Sequence, residues 1–331
     1  LMGYILPLFI KLRGRWKRVF FECKRPQVLE RSCMKIDLHV HTDASDGTEP
    51  VGVVFDRARD LGLDVLAITD HDTVAHWAAS AEASERTGLG FVPGIEITTR
   101  AVFTGEDGHT HKVGMHMLAY LPDPSNTALV KKLDETVNSR IIRLQEITDR
   151  IAKDYSLTWQ DVLDQVQVGA TLGRPSVADA LVANGHFIER GEVFEKLWFK
   201  GSPYYVPNRE VPDPREAIEL INAAGGVAVL AHPLARGYKP AHENDFPQEH
   251  FESLIEAGLA GFEVYHPEIG ADVQPWLLEL TTRHDLIVTG SSDYHGVTGK
   301  PNELGQCSTA PEMLERIIDQ ATGAKPVNLE L

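Results

Sequence analysis

Cysteine is scarce in this chain. Three residues (Cys23, Cys33 and Cys307) among 331 cannot lay down a disulfide framework, and no two have zinc-finger spacing. The scarcity favours a reducing, cytoplasmic setting, and any metal must then be held by histidine and carboxylate. Positive charge is also in deficit, with 32 Lys+Arg against 48 Asp+Glu and a formal net charge of −16. A protein that coats long nucleic acid needs a basic stripe, so that class is set aside. A small anionic substrate stays open, because divalent ions turn a carboxylate cluster locally positive. The apolar segment Gly3–Ile10 is too short to span a membrane. Its basic residues follow the apolar run, and no small-residue cleavage site is evident. Neither a membrane nor an obligate protein partner is inferred, and no internal repeat stands out.

The hydrophobic fraction of 43% and charged fraction of 24% are those of a globular protein able to bury a core. The first 33 residues differ, with eight Lys/Arg and two Asp/Glu. Met34 sits directly before the first clear strand, so residues 1–33 are expected to be an extension outside the fold. Seven β-rich apolar runs follow: Lys35–Val40, Asp64–Thr69, Gly90–Thr98, Val113–Tyr120, Gly226–Ala231, Gly261–Tyr265 and Leu286–Gly290. Between most of them lie helical stripes, such as Val51, Val54, Phe55, Ala58 and Leu61. Gly62, Gly88, Gly225 and Gly258 stand where C-terminal caps belong. This alternation predicts an α/β fold with a parallel sheet of βα units. It breaks between about Pro124 and Pro214, where helices are predicted over Leu129–Ile151, Trp159–Val166, Val177–Val182 and Val193–Trp198. The expected division is a barrel domain from 34–123 and 215–331, with a helical lid or substrate domain over 124–214.

Metal-competent side chains collect along these strands. His39 and His41 lie on or just after the first, Asp70, His71 and Asp72 after the second, and Glu96 in the third. His116 lies in the fourth, His232 ends the fifth, His266 the sixth, and Asp293 and His295 follow the seventh. In parallel barrels the C-terminal strand ends form the active face. Residues i and i+2 of a strand share a side, so His39 and His41 can meet one ion. Taken alone, that pair fits two core or surface histidines at least as well; its ordered companions give it meaning.

The runs Asp37-Leu-His-Val-His-Thr42, Ser45-Asp-Gly47, Ile68-Thr-Asp-His-Asp72, Pro93-Gly-Ile-Glu-Ile97, Leu230-Ala-His-Pro233 and Ser291-Ser-Asp-Tyr-His-Gly296 resemble, in order, the motifs of the PHP (polymerase and histidinol phosphatase) family. The Asp46-Gly47 form and the helical insertion resemble its branch of nucleotide phosphoesterases and RNase AM-like enzymes. The resemblance implies a distorted (β/α)7 TIM-like barrel with an inserted helical domain and a centre of two to three divalent ions. It places His39, His41, Glu96 and Asp293 around a first ion. Glu96 bridges to a second, held with His116 and His232, and Asp46, His71 and His295 hold a third. His109 and His111 read better as loop residues. Mixed imidazole and carboxylate without thiolate suits manganese first, with zinc, iron or magnesium as alternatives.

For the remaining roles, Asp70 and Asp72 are candidates to orient metal-bound imidazoles, with helix capping an equal alternative for Asp72. His266 is a candidate to contact substrate or shuttle a proton to the leaving group. Arg174 matches the family's phosphate-binding arginine; the usual motif has histidine after the proline, where this chain has Ser176. Lys200, Arg209 and Arg236 are further candidate phosphate contacts, against a solvated-surface alternative, and Tyr204, Tyr205 or Tyr265 could stack a base. The expected activity is hydrolysis of a phosphate ester of a small nucleotide, foremost the 3′-phosphate of a nucleoside 3′,5′-bisphosphate. Its rivals are 5′→3′ trimming of short RNA and histidinol phosphate hydrolysis. Outside that chemistry stand an amidohydrolase, which typically has a bridging lysine where this chain has Glu96, and a non-catalytic phosphate-binding module.

Overall fold

A computed structural model of the chain describes residues 34–105, 108–167, 169–199, 201–235 and 247–329, and residues 5–12 and 15–22 as backbone. The chain divides into two compact units, Leu1–Met34 and Lys35–Leu331. In the first, β1 (Ile5–Leu12) and β2 (Arg15–Glu22) pair antiparallel, with Leu12 opposite Arg15.

The second unit is built on one seven-stranded sheet whose spatial order is its chain order. The strands are β3 (Ile36–Val40), β4 (Val65–Ile68), β5 (Gly90–Thr104), β6 (Thr110–Tyr120), β7 (Val227–Leu230), β8 (Gly261–Tyr265) and β9 (Ile287–Gly290). The sheet curls into a barrel: Val40 bridges Tyr294 in parallel, just past β9, and His41 N donates to Tyr294 O at 2.8 Å. Strands β3, β4 and β7 are buried at every position. They therefore read as short apolar runs without alternation, as strands covered on both faces do.

Helices wrap the outside. They are α1 (Val51–Asp60), α2 (Trp77–Thr87), α7 (Pro214–Ala223), α8 (Gln248–Glu256), α9 (Gln274–Arg283) and α10 (Pro311–Gln320). Each buries one stripe, such as Val51, Val54, Phe55 and Ala58 of α1, or Phe251 and Leu254 of α8.

The sheet departs from the expected parallel order at β6, which is antiparallel to both β5 and β7. The reason is connection length. Only Gly105–His109 joins β5 to β6, far too few residues for a crossover helix, so a hairpin is the only solution. Both strands run beyond the expected Gly90–Thr98 and Val113–Tyr120, pairing out to Thr104 opposite Thr110, where exposed positions alternate with covered ones. His111, expected in a loop, lies within β6 opposite Phe103.

Between β6 and α7 run α3 (Thr127–Ile151), α4 (Trp159–Leu163), α5 (Arg174–Ala183) and α6 (Arg190–Leu197). The Asn126 side chain caps α3 by accepting from Ala128 N and Leu129 N. Leu129 and Leu133 of α3 pack into the barrel's outer core. Leu144, Ile147 and Ile151, further along, join a separate core with Val162, Val177, Leu181, Val193 and Leu197. Thr171 N donates to Ala44 O at 2.8 Å, tying this segment to the loop after β3. Among the described residues no helix is long and apolar enough to cross a membrane.

Candidate metal centre

The loop after β3 turns tightly: Gly47 N and Ser45 N both donate to Thr42 O at 3.1 Å. A Cβ on Gly47 would lie 2.8 Å from the His41 carbonyl carbon and oxygen, so only glycine lets the loop fold back and bring Asp46 over His41. Asp72, His232 and Asp293 adopt positive φ (54°, 29° and 52°). Non-glycine residues in this region carry strain, which concentrates at functional sites.

Nine sequence-predicted donors converge here. His39 Nε2 and His41 Nε2 stand 3.1 Å apart. Glu96 Oε2 lies 3.1 and 3.0 Å from them, and Asp293 Oδ1 3.4 and 3.3 Å. The other oxygen, Glu96 Oε1, faces His116 Nδ1 at 2.7 Å and His232 Nε2 at 3.0 Å. On the far side of His41, Asp46 meets His295 Nε2 at 3.2 Å and His71 Nε2 at 3.8 Å. Three groups keep one donor atom of each member within 4.8 Å of the others: His39, His41, Glu96, Asp293; His41, Asp46, His71, His295; and His71, Glu96, His116. His232 approaches the third group through Glu96. His116 does not sit at a C-terminal strand end, because β6 runs the opposite way; it lies mid-strand opposite Thr98.

Neighbouring groups fix two ring orientations. His39 Nδ1 donates to Glu263 Oε1 at 3.0 Å, and His295 Nδ1 donates to Asp293 O at 2.8 Å. Each therefore turns the Nε2 lone pair inward, as metal-binding histidines do.

Charge shows what the cluster demands. Burial works against ionisation of Asp46, Glu96 and Asp293, yet the surrounding histidines, and Lys300 beside Asp293, hold all three well below the usual carboxylate range. Burial likewise opposes a charge on His39 and His41. Carboxylates overcome it, raising His39 well above its ordinary value and pushing His41 up to about 9. Burial keeps His71, His232 and His295 low. The carboxylates thus favour cationic charge beside His39 and His41.

The residues fit divalent ions. Asp46 Oδ1, His71 Nδ1, Asp293 Oδ1 and His295 Nε2 are buried without a hydrogen-bond partner. The donor spacings of 3.0 to 3.4 Å around His39 and His41 are those of ligands about 2.1 Å from a shared centre.

Other expected residues are placed less uniformly. His266 Nδ1 accepts from Glu268 N at 3.0 Å, and its Nε2 faces Asp293 Oδ2 at 3.5 Å. Asp70 orients no imidazole directly. It accepts from Thr42 N, Thr42 Oγ1 and Ser45 Oγ at 2.6 to 2.7 Å, bracing the loop that carries Asp46. Asp72 neither touches a ring nor caps a helix, since α2 begins only at Trp77; it binds Thr98 N, Thr98 Oγ1 and the Arg140 guanidinium. Arg174 opens α5 with its guanidinium 5.5 Å from the Phe194 ring and 5.9 Å from Trp198. Arg209 is exposed and paired with Glu146 at 2.8 Å, a surface ion pair. Lys200 and Arg236 lie outside the described residues. Tyr204 donates to Asp154 at 2.7 Å, and Tyr205 and Tyr265 are exposed.

Four residues went unnoticed in the sequence. Glu263 orients His39 and accepts from His232 N at 2.7 Å. Lys300 Nζ donates to Asp293 Oδ2 at 2.5 Å. Arg140 and Arg143 lie on α3, where burial and the neighbouring Arg174 and Arg140 push Arg143 down to about 10. The alternation Arg140-x-x-Arg143 on one helix face was the available signal for the last two.

Residues 37–160 match the PHP domain family. The chain is 28% identical over 270 residues to phosphoribosyl 1,2-cyclic phosphate 1,2-diphosphodiesterase of Eggerthella lenta, covering 81% of this chain and 97% of that protein. It is 30% identical over 266 residues to the 5′-3′ exoribonuclease Rnm of Salmonella typhimurium (78% and 84%). It is 29% identical over 294 residues to 3′,5′-nucleoside bisphosphate phosphatase of Chromobacterium violaceum (85% and 94%). A solved structure from Bifidobacterium adolescentis, provisionally described as a metal-dependent phosphoesterase, superposes with a TM-score of 0.80 at 38% identity, covering 88% of this chain and 97% of that one. Motif order, barrel and histidine–carboxylate cluster therefore have one explanation: the chain belongs to the PHP family and is a metal-dependent phosphoesterase.

Proposed function

We propose that the enzyme removes the 3′-phosphate from nucleoside 3′,5′-bisphosphates, using three divalent ions, foremost manganese. The observation that carries this reading is a second cationic site beside the metal centre. Arg140 donates to Asp72 and Thr98 next to the cluster, and burial, with Arg174 and Arg140 nearby, pushes Arg143 down to about 10. Guanidinium forks gathered in this way suit phosphate. A substrate with two phosphates satisfies both sites at once.

When bound, divalent ions lower the pKa of a coordinated water and draw charge from phosphoryl oxygens. His39, His41, Glu96 and Asp293 hold the first ion, Glu96, His116 and His232 the second, and Asp46, His71 and His295 the third. Glu96 presents one oxygen to each of the first two sets. Arg174, with Arg140 and Arg143, binds the phosphate that is not cleaved. We assign His266, whose Nε2 faces Asp293 Oδ2 at 3.5 Å, the role of hydrogen-bonding the departing oxygen.

A second reading, release of 5′-nucleotides from short RNA, is favoured by the Rnm likeness and uses the same two sites. The acidic balance of −16 disfavours long chains of phosphate. The test is a panel with manganese-loaded enzyme: adenosine 3′,5′-bisphosphate, a 5′-phosphorylated oligoribonucleotide, phosphoribosyl 1,2-cyclic phosphate and histidinol phosphate. Adenosine 5′-monophosphate and inorganic phosphate from the first, without nucleotide release from the second, is the expected outcome. Turnover of the oligonucleotide or the cyclic ester alone would overturn the choice of substrate.

A further inference from the structure

We propose that Arg190, on α6 and itself no metal ligand, is a positioning residue for the third ion, holding Asp46 in place through its backbone. The inference rests on the three-ion reading above and concerns which part of the chain makes that third site. Asp46 is the candidate ligand carried by an excursion of the chain between β3 and α1, several residues from either element. Its carboxylate needs its peptide fixed, because it meets His41 Nδ1 at 3.8 Å within its own connection and His295 Nε2 at 3.2 Å and His71 Nε2 at 3.8 Å from two other segments.

Arg190 supplies that fixation from outside the barrel. It opens α6, and its Nη1 donates to the Asp46 carbonyl oxygen at 3.1 Å. The guanidinium cannot swing away, since Nε and Nη2 donate to the two carboxylate oxygens of Asp179 on α5 at 2.8 and 2.5 Å. A bidentate arginine–carboxylate fork sets the plane of the group, so the third donor direction is fixed by two helices. A second tether, Thr171 N to Ala44 O at 2.8 Å, comes from the residues just before α5. The barrel holds this loop on either side of Asp46, at Thr42 and Ser45 through Asp70 and at Thr48, whose N donates to His295 O at 2.9 Å; at the Asp46 carbonyl the hold comes from Arg190. The same helix pair carries Arg174 against Phe194 and Trp198. One rigid piece thus presents a phosphate-binding arginine and registers a metal ligand.

The experiment counts ions. Full-length protein is stripped with a chelator, equilibrated at fixed free Mn²⁺ and analysed by mass spectrometry for metal per chain. Wild type is expected to hold three ions. Arg190→Met and Asp46→Asn are each expected to hold two at the same free Mn²⁺, with the missing ion bound at least tenfold more weakly. Arg190→Lys, which keeps a donor for the carbonyl, is expected to regain part of that affinity. A purely structural role would lower the melting temperature without such selective loss and rescue. Three ions in Arg190→Met at wild-type affinity, or loss of all ions together, would overturn the inference. Two ions in wild type would instead contradict the three-ion reading itself. Should Arg190→Met fail to fold, Asp179→Asn is read in its place, with the same selective loss expected and the same results overturning it.

Discussion

Glu263 shows how much one side chain outside the motifs can govern. It is fully buried, holds the His39 ring by Nδ1 and pins the His232 backbone, so it touches the supports of two proposed ion sites. Partners of this kind cost roughly 10–100-fold in metal affinity when removed. Glu263→Gln is expected to weaken Mn²⁺ binding by about that factor, read by titration calorimetry, because an amide can present N–H where His39 needs an acceptor. Unchanged affinity would refute the role. Eight of the nine donors were legible because they fall inside short ordered motifs, and His116 because it stands in a clear apolar strand. Glu263 escaped notice because its partner is 224 residues away, and Lys300 because only the return of the chain after His295 lays it on Asp293. The partners of Asp70 were hidden for a related reason. Its neighbours in sequence are ligands, but its hydrogen bonds go to Thr42 and Ser45.

At the level of elements, all seven barrel strands were legible, since strands buried on both faces leave compact apolar runs between helical stripes. The direction of β6 was not. Hydrophobicity does not encode direction, and the mixed outer ends of β5 and β6, where exposed positions alternate with covered ones, concealed that only five residues separate them. The helices of residues 127–197 were legible from periodicity, whereas the tethers through Arg140, Thr171 and Arg190 depend on tertiary geometry. Two glycines make a contrasting test. Gly47→Ala would drive a methyl group into the His41 and Thr42 backbone and is expected to destabilise by about 1–3 kcal/mol. Gly191, exposed in α6 with only the far end of Glu189 near its missing Cβ, should tolerate alanine and gain about 0.5–1 kcal/mol. Chemical denaturation of both variants checks the pair, and an equal response at the two positions would contradict the packing described for the Asp46 loop.

Across the whole molecule, acidity and the barrel act together. In the function proposed, a chain with a net charge of −16 gathers its phosphate-binding power locally, from a carboxylate cluster that draws in cations and from arginines of α3 and α5. Composition already excluded a coat for long nucleic acid and a cysteine-bound metal. It carried no information on which helices would stand over which strands. The central claim is that His39 and His41, with donors from five other segments, enclose three divalent ions. Anomalous diffraction from crystals grown with Mn²⁺, collected at the manganese absorption edge, tests it most directly. Three peaks are predicted: one among His39, His41, Glu96 and Asp293, one beside Glu96, His116 and His232, and one among Asp46, His71 and His295. No peak within this cluster, or manganese bound only elsewhere on the molecule, would contradict the account.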